Sequence, residues 1–446
     1  MKQVCLWFLI LVSVSATAAD PILSMRDRAQ LIDTMLNDRL ENLLPKLMRR
    51  EGIDMWILIS REYNEDPVLK TMLPATWLSA RRRTILVLFN PGNDAQGNAQ
   101  AIERFAVARY SVDNLFQKAW DKEQQPDQWQ SLVDLIKQKN PNKIALNKST
   151  HVALADGLTA TEFEEFKTAL GPKFKTQVVS SEPLAIAWLE TRNAMEMSVY
   201  PSIVKLAHEI VAQAFSNEVV KPGVTTTSDV EWWLRERVVE LKLQTWFHPS
   251  VSLQRASSEK FDHLKAFSEG SDAQVIMPGD LLHMDFGITY LRFNTDQQQH
   301  AYVLKKGETD APAYLKTALA NGNRLQDIFT NNFKLGRTGN EVLSMSRQQA
   351  IAEGIKPSIY THPIGFHGHA AGTTLGMWDS QEGVPGEGDY PLHDNTAYSI
   401  ELNAATFIPQ WNKEIRIMLE EEAYFEQSGV SYMDGRQTKF HLISND

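Results

Sequence analysis

One cysteine, Cys5, stands in a chain of 446 residues. A disulfide framework is therefore excluded, and the fold must be held by its cores alone. Long apolar runs are missing beyond the N-terminus: no later stretch approaches the ~20 residues that a membrane-spanning helix needs. Basic charge is in short supply. A formal net charge of −10 argues against a nucleic-acid partner, which would ask for a positive field. The short basic run Arg81-Arg82-Arg83 reads as a solvated face or a local anion contact. Internal repeats and low-complexity tracts are absent. So are a glycine-rich phosphate loop and a nucleophile elbow in the first half.

What is present is an ordinary globular composition, 43% hydrophobic and 22% charged, at a length that favours two domains. The N-terminus has the pattern of a removable targeting segment. Lys2 supplies a short positive region, residues 6–14 an apolar run too short to span a bilayer, and Ala16-Thr17-Ala18 small residues for cleavage. Residues 1–19 are thus expected to be a signal peptide. The mature protein is expected to be exported, periplasmic or secreted, and off the membrane. Cys5 precedes the apolar run, where a lipid-anchor cysteine would not lie.

Residues 25–50 show helical periodicity with a break or kink at Pro45. Strands are expected over 55–59, 84–89, 143–146 and 177–179, and helices over 129–139 and 161–170. The second of these helices would open with a capping box of Thr161 and Glu164. This alternation predicts an α/β domain over residues 20–195, to which no chemistry is assigned. From residue 184 to 215 the pattern turns helical, interrupted by Pro201. A second domain is placed at 196–446. Ser228 and Glu231 suggest a further capping box, 251–253 a strand, and Pro278-Gly279-Asp280 a turn.

That turn feeds the stretch 281–303. Its first strand carries Asp285 among apolar neighbours, a loop follows over 288–294, and Asp296 begins the return. A hairpin brings the two carboxylates side by side across the ladder. An isolated Asp at a strand end is ordinarily a solvated turn residue. Two that face each other repel unless a proton or a metal lies between them. Further on, three histidines, His362, His367 and His369, fall within eight residues. His362 and His369 are seven apart with glycines between, a spacing at which two imidazoles can line opposite sides of one pocket. Two later alternating strands, 397–402 and 414–420, carry Glu401 and Glu420. Glu421 competes with Glu420 as the inward residue. Four carboxylates and an imidazole in one pocket require positive charge. Two divalent ions about 3.5–4 Å apart supply it and lower the pKa of a shared water towards ~7. The oxygen-rich set suits Mn²⁺, with Co²⁺, Fe²⁺ or Zn²⁺ as alternatives. This chemistry fits hydrolysis of a carbonyl or phosphoryl bond.

The order Asp, a second Asp eleven residues on, His, Glu and Glu resembles the pita-bread metallopeptidases. These include aminopeptidase P, prolidase, methionine aminopeptidase and the metal-free creatinases. The likeness covers roughly residues 184–446. The upstream α/β domain is similar to the N-terminal domain of the aminopeptidase P, prolidase and creatinase branch. The resemblance implies an α/β domain followed by an α+β pita-bread catalytic domain. It implies Asp285, Asp296, His362, Glu401 and Glu420 as ligands of two metal ions. It implies His369 as a substrate contact that steadies the tetrahedral intermediate, Glu401 as proton shuttle, and His263 as the upstream catalytic and substrate-contacting histidine. Ser358, Leu402 and Met418 depart from the pattern of that branch, and Arg416 is the candidate for the role of the arginine common at position 418. The implied activity is metal-dependent hydrolysis of peptides with a free N-terminus by a homodimer, with a short peptide as substrate and the bond before proline as target. Alternatives within the same fold are an Xaa-Pro dipeptidase, a creatinase-like reaction on another carbon–nitrogen bond, and a non-catalytic protein that binds a peptide or small amide.

Overall fold

The computed structural model describes residues 22–256 and 273–445. The expected signal peptide and His263 lie outside them. Residues 25–50 form two helices, Met25–Asp38 and Leu44–Arg50, joined by a single π-helical turn, Arg39–Leu43. Pro45 is the second residue of the latter helix, directly after the π-helical turn.

The first sheet consists of β1 (Met55–Arg61), β2 (Arg83–Phe89), β3 (Glu103–Val107), β4 (Gln117–Lys118), β5 (Ile144–Leu146) and β6 (Val178–Ser180), in the order β4-β3-β2-β1-β5-β6. The central strand β1 runs antiparallel to β2 and parallel to β5. Alternate residues serve opposite cores. Trp56, Leu58, Leu86 and Leu88 pack with the N-terminal helices and with helix Glu182–Glu190. Met55, Ile57, Ile59, Ile85 and Val87 pack on the other side, with helix Gln128–Lys139 and with Phe166 of helix Ala160–Ala169. Covering both faces is why these strands read as unbroken apolar runs. The cap of helix Ala160–Ala169 is Thr159, not Thr161. Thr159 receives the N–H of Glu162, whose carboxylate is buried between Arg61 and Arg83 at 3.1 and 2.7 Å, so no reciprocal box forms.

The second unit contains β7 (Ser250–Gln254), β8 (Leu281–Phe286), β9 (Thr289–Tyr290), β10 (Phe293–Asn294), β11 (Gln297–Val303), β12 (Lys356–Ile359), β13 (His362–Pro363), β14 (Thr396–Ser399), β15 (Leu402–Ile408), β16 (Lys413–Leu419), β17 (Glu422–Glu426), β18 (Gly429–Tyr432) and β19 (His441–Ile443). They make three main sheets, ordered β19-β11-β8-β7, β12-β15-β16 and β13-β14-β17-β18. Helices Tyr200–Ala214 and Thr227–Glu240 cover the first of these, through Ile210, Val211, Val230 and Leu234 against Leu282, Met284, Ala301 and Val303. Helices Ala313–Asn331 and Gly339–Ala352 cover the second, with Leu315 and Leu319 against Ile415, Ile417 and Leu419. Two helix pairs outside and sheets that are antiparallel but for the parallel edge pair β11–β19 inside give the α+β second unit.

Three local expectations are revised. The capping box lies at Thr226 and Asp229 rather than at Ser228 and Glu231. Glu231 instead accepts the Val251 N–H at 2.9 Å, tying helix to β7. The loop over 288–294 contains the small hairpin β9–β10, whose turn residues Leu291 and Arg292 both have positive φ, 53° and 70°, as a tight type I′ turn requires. The strands expected over 397–402 and 414–420 each break at their glutamate: Glu401 joins β14 to β15, and Glu420 stands before β17. At both places the chain leaves one sheet and joins another. No helix among the described residues is long and apolar enough to cross a membrane.

Candidate metal centre

The organising pair sits on β8 and at the start of β11. In the register of these strands Asp285 faces Gln298 directly, so Asp296, two residues before Gln298, is its diagonal neighbour on the same face. β13 brings in His362, and the two strand junctions bring in Glu401 and Glu420. Ligand atoms of Asp285, Asp296 and Glu420 lie within 4.8 Å of one another, as do those of His362, Glu401 and Glu420, and those of Asp296, His362 and His369. His362 Nε2 is 3.6 Å from Glu420 Oε1 and 3.9 Å from Asp296 Oδ2.

The donor set fits a pair of divalent cations on the observations at hand. Asp285 Oδ1, Asp296 Oδ1 and His362 Nε2 are buried, and none has a hydrogen-bond partner among the described residues. Orphaned acceptors of this kind are costly unless something else binds them. Burial, and then the charge of Glu420, push the Asp285, Asp296 and Glu401 carboxyls well above the usual range. Carboxylates and an imidazole are hard and borderline ligands that suit Mn²⁺ and its neighbours.

Glu420 and Glu421 part ways at the junction. Glu420 points into the cluster, while Glu421 accepts from Gln299 Nε2 at 3.0 Å and from the Gln437 N–H at 2.9 Å, and lies 2.6 Å from His208 Nε2. His208 is desolvated, which alone would lower its pKa. Its contacts with Glu421 and Asp434 outweigh that and hold it at about 9. Glu422 supports the cluster from behind: it accepts the Asp296 N–H, and Gln297 Nε2 donates to it at 2.7 Å.

His369 adjoins His362 rather than lining the opposite wall, its ring meeting that of His362 edge-on with centroids 4.7 Å apart. One side of it reaches solvent. Trp246 and Tyr360 crowd the rest, at centroid distances of 5.2 and 5.9 Å. Partial burial, then the neighbouring His362, hold the imidazole at about 4, so it is neutral at pH 7. Tyr360, half-buried beside Glu401, keeps its phenol proton far into the alkaline range. His367 is in none of the candidate ligand groups, and burial draws its imidazole down to about 4. Arg416 shares the strand face of Glu420 but lies four positions away, ~13 Å along an extended strand. Sequence reading passed over Gln298, Ser399, Trp246 and Tyr360. Gln298 was within reach, since strand alternation places it on the face of Asp296. Trp246 had no local signal, because only the fold brings it to Thr295, whose carbonyl accepts from its Nε1 at 2.9 Å.

An α/β unit followed by an α+β unit that holds a buried carboxylate–histidine cluster has the architecture of a metal-dependent hydrolase. Residues 202–426, half of the chain, match the model of metallopeptidase family M24, and the chain belongs to that family. Among solved structures it is similar to the X-Pro aminopeptidase of Thermotoga maritima MSB8, at 15% identity over 90% of this chain and 99% of that one, with a TM-score of 0.61. It is similar also to the Xaa-Pro dipeptidase of Bacillus anthracis (15% identity, 94% and 100% covered, TM-score 0.55). A third likeness is to the prolidase of Pyrococcus horikoshii OT3 (13%, 92% and 99%, 0.53). At such identities the likeness is one of fold, and it extends over both domains. Curated protein sequences gave no match.

Proposed function

We propose that the protein is a two-metal aminopeptidase acting on short peptides with a free N-terminus, at the bond preceding proline. The convergence of Asp285, Asp296, His362, Glu401 and Glu420 on one buried point carries this reading. These five residues would hold two divalent ions, Mn²⁺ first among them, which supply an activated water and polarise the scissile carbonyl. The protein's own groups do the rest. Neutral His369 at the mouth is placed to donate a hydrogen bond to oxygen charge that develops in the transition state. Glu401 moves a proton to the leaving nitrogen. The carboxylate-rich lining gives a substrate ammonium group acceptors to approach. Trp246 and Tyr360 wall off one side and limit water there.

Proline preference is supported by the likeness of fold to X-Pro aminopeptidases and to prolidases together. The test is hydrolysis of Xaa-Pro dipeptides and of longer Xaa-Pro peptides by the mature protein, with added Mn²⁺ and with chelator. Metal-dependent cleavage that favours the longer peptides is expected. Preference for dipeptides would make the protein a prolidase, and cleavage unaffected by chelator would overturn the metal reading. We propose also that the mature protein is exported and acts as a homodimer, which N-terminal sequencing of the exported chain and sedimentation test.

A further inference from the structure

Gln298 is the point at which two sheets of the catalytic domain are joined across the cluster. Its backbone exchanges both hydrogen bonds with Glu420: its N–H reaches the Glu420 carbonyl at 3.1 Å, and the Glu420 N–H reaches its carbonyl at 3.2 Å. Its side chain follows the same path. Nε2 lies 2.6 Å from Glu420 Oε2 and 2.8 Å from Glu401 Oε1. An amide nitrogen carries two hydrogens, so both contacts are satisfied together. Oε1 at the other end is 2.9 Å from His283 Nε2, and His283 Nδ1 is 3.4 Å from Ser252 Oγ. The reverse orientation would set the amide oxygen against two carboxylates, so the network itself fixes which end faces inward.

Ser399 completes the arrangement by donating to Glu420 Oε1 at 2.7 Å. Each oxygen of Glu420 thus takes one donor from the protein and has acceptor capacity left for an ion. Glu420 is common to two of the ligand groups, one with Asp285 and Asp296 and one with His362 and Glu401, and a carboxylate shared between two ions would need both oxygens in this state. Glu401 is tied to the same amide through one oxygen only, which leaves Oε2 for a metal. A neutral donor achieves this without adding a cation that would compete with the ions.

We propose that Gln298 is a positioning residue that presents Glu420 as the shared ligand and couples it to Glu401, with His283 acting only by orienting the amide. The inference rests on the two-ion reading above. The experiment is titration of the metal-free full-length protein with Mn²⁺ by calorimetry, paired with electron paramagnetic resonance. The wild-type protein is expected to take up two ions that give a spin-coupled signal. In Gln298→Met, which keeps the length of the side chain and loses the amide, the second ion is expected to bind 10–100-fold more weakly. The coupled signal should give way to that of isolated Mn²⁺. His283→Phe should weaken the second ion less, and should add nothing when combined with Gln298→Met. Near-UV circular dichroism checks folding. Gln298→Asn, which keeps an amide but shortens its reach, takes the place of Gln298→Met should that variant not fold. Wild-type affinity and an unchanged coupled signal in Gln298→Met would overturn the proposal while leaving the two-ion reading intact. An additive effect of His283→Phe would overturn the part given to His283. Uptake of fewer than two ions by the wild-type protein would overturn both.

Discussion

The rings of His362 and His369 meet edge to face, centroids 4.7 Å apart and planes at 87°, yet only His362 lies deep in the carboxylate cluster. The two histidines should therefore separate by function. His362→Ala removes a ligand atom, and its expected result is loss of bound metal together with activity. His369→Ala leaves four carboxylates and one imidazole in place. It should retain its metal while kcat/KM falls ~10²–10³-fold, the usual effect of removing one transition-state donor. Metal analysis beside steady-state kinetics checks this. Equal loss of metal in both variants would make His369 a ligand instead.

The position of His369 depends in turn on Gly368. A Cβ at residue 368 would fall 2.4 Å from ring atoms of Trp246, and that indole is anchored through Nε1 to the Thr295 carbonyl. Gly368→Ala must displace either the indole or the loop carrying His369. Displacements near 1 Å cost catalysis of the order of 10²-fold. The expected outcome is a fall in kcat with normal metal content, and Trp246→Ala should partly restore the double variant by making room. A Gly368→Ala enzyme with full activity would show that the indole does not set the histidine.

Much of this centre was legible from residues alone because its ligands lie in locally regular chain. Asp285 interrupts an apolar strand, and Glu401 and Glu420 interrupt two more, so each acid stood out against its own neighbours. Spacing could not reveal that both glutamates mark places where the chain changes sheets. That depends on which strands pair, and pairing partners are far apart in sequence. The choice between Glu420 and Glu421 was likewise undecidable until β17 fixed the register and gave Glu421 to His208. The caps were misplaced by two residues at Thr159 and Thr226 for a related reason. Several Ser and Thr residues lie at each helix start. At Thr226 tertiary structure decides, because β7 takes Glu231 and leaves Asp229 to close the box. Thr159 caps its helix although arginines hold Glu162, and the exposed Glu164 pairs with Lys167 rather than with a cap.

The boundary between the two cores is clasped by an ion pair with its own testable cost. Arg39, in the π-helical turn, meets Glu196 at 2.9 Å with both side chains about 1% exposed, and also donates to the Thr191 carbonyl at 2.8 Å. Burial draws the guanidinium down to about 10 despite the nearby carboxylate, so the charge is retained at neutral pH. Glu196→Ala strands that charge and should cost ~3–5 kcal/mol of stability. An apolar double replacement, Arg39→Met with Glu196→Leu, should recover only part of the loss, because it removes the desolvation penalties of that pair but leaves buried Arg192, 3.5 Å from the same carboxylate, without it. Urea denaturation of the three variants gives the comparison. A double variant no better than Glu196→Ala would show that the arginine is needed for its backbone contacts rather than for its charge.

Glu190, at the end of helix Glu182–Glu190, makes stability depend on pH away from the metal centre. It is 2% exposed, and its Oε1 has no hydrogen-bond partner among the described residues. Burial, only partly offset by Arg50, raises its carboxyl from an ordinary 4.5 to about 8. The folded protein thus holds a proton that the unfolded chain gives up. Stability from this group is fully present below pH 4.5 and declines as pH rises towards 8, by ~1.4 kcal/mol per unit. Glu190→Gln keeps the shape and cannot ionise. It should match the wild-type protein at pH 4 and exceed it by a margin that widens through pH 7. The gap should level off once the pH has passed about 8. Urea titrations at pH 4, 6, 7 and 9 measure this gap. A difference that stays constant with pH would mean that Glu190 is ionised in the folded state, neutralised by a neighbouring cation such as Arg50 or Arg192.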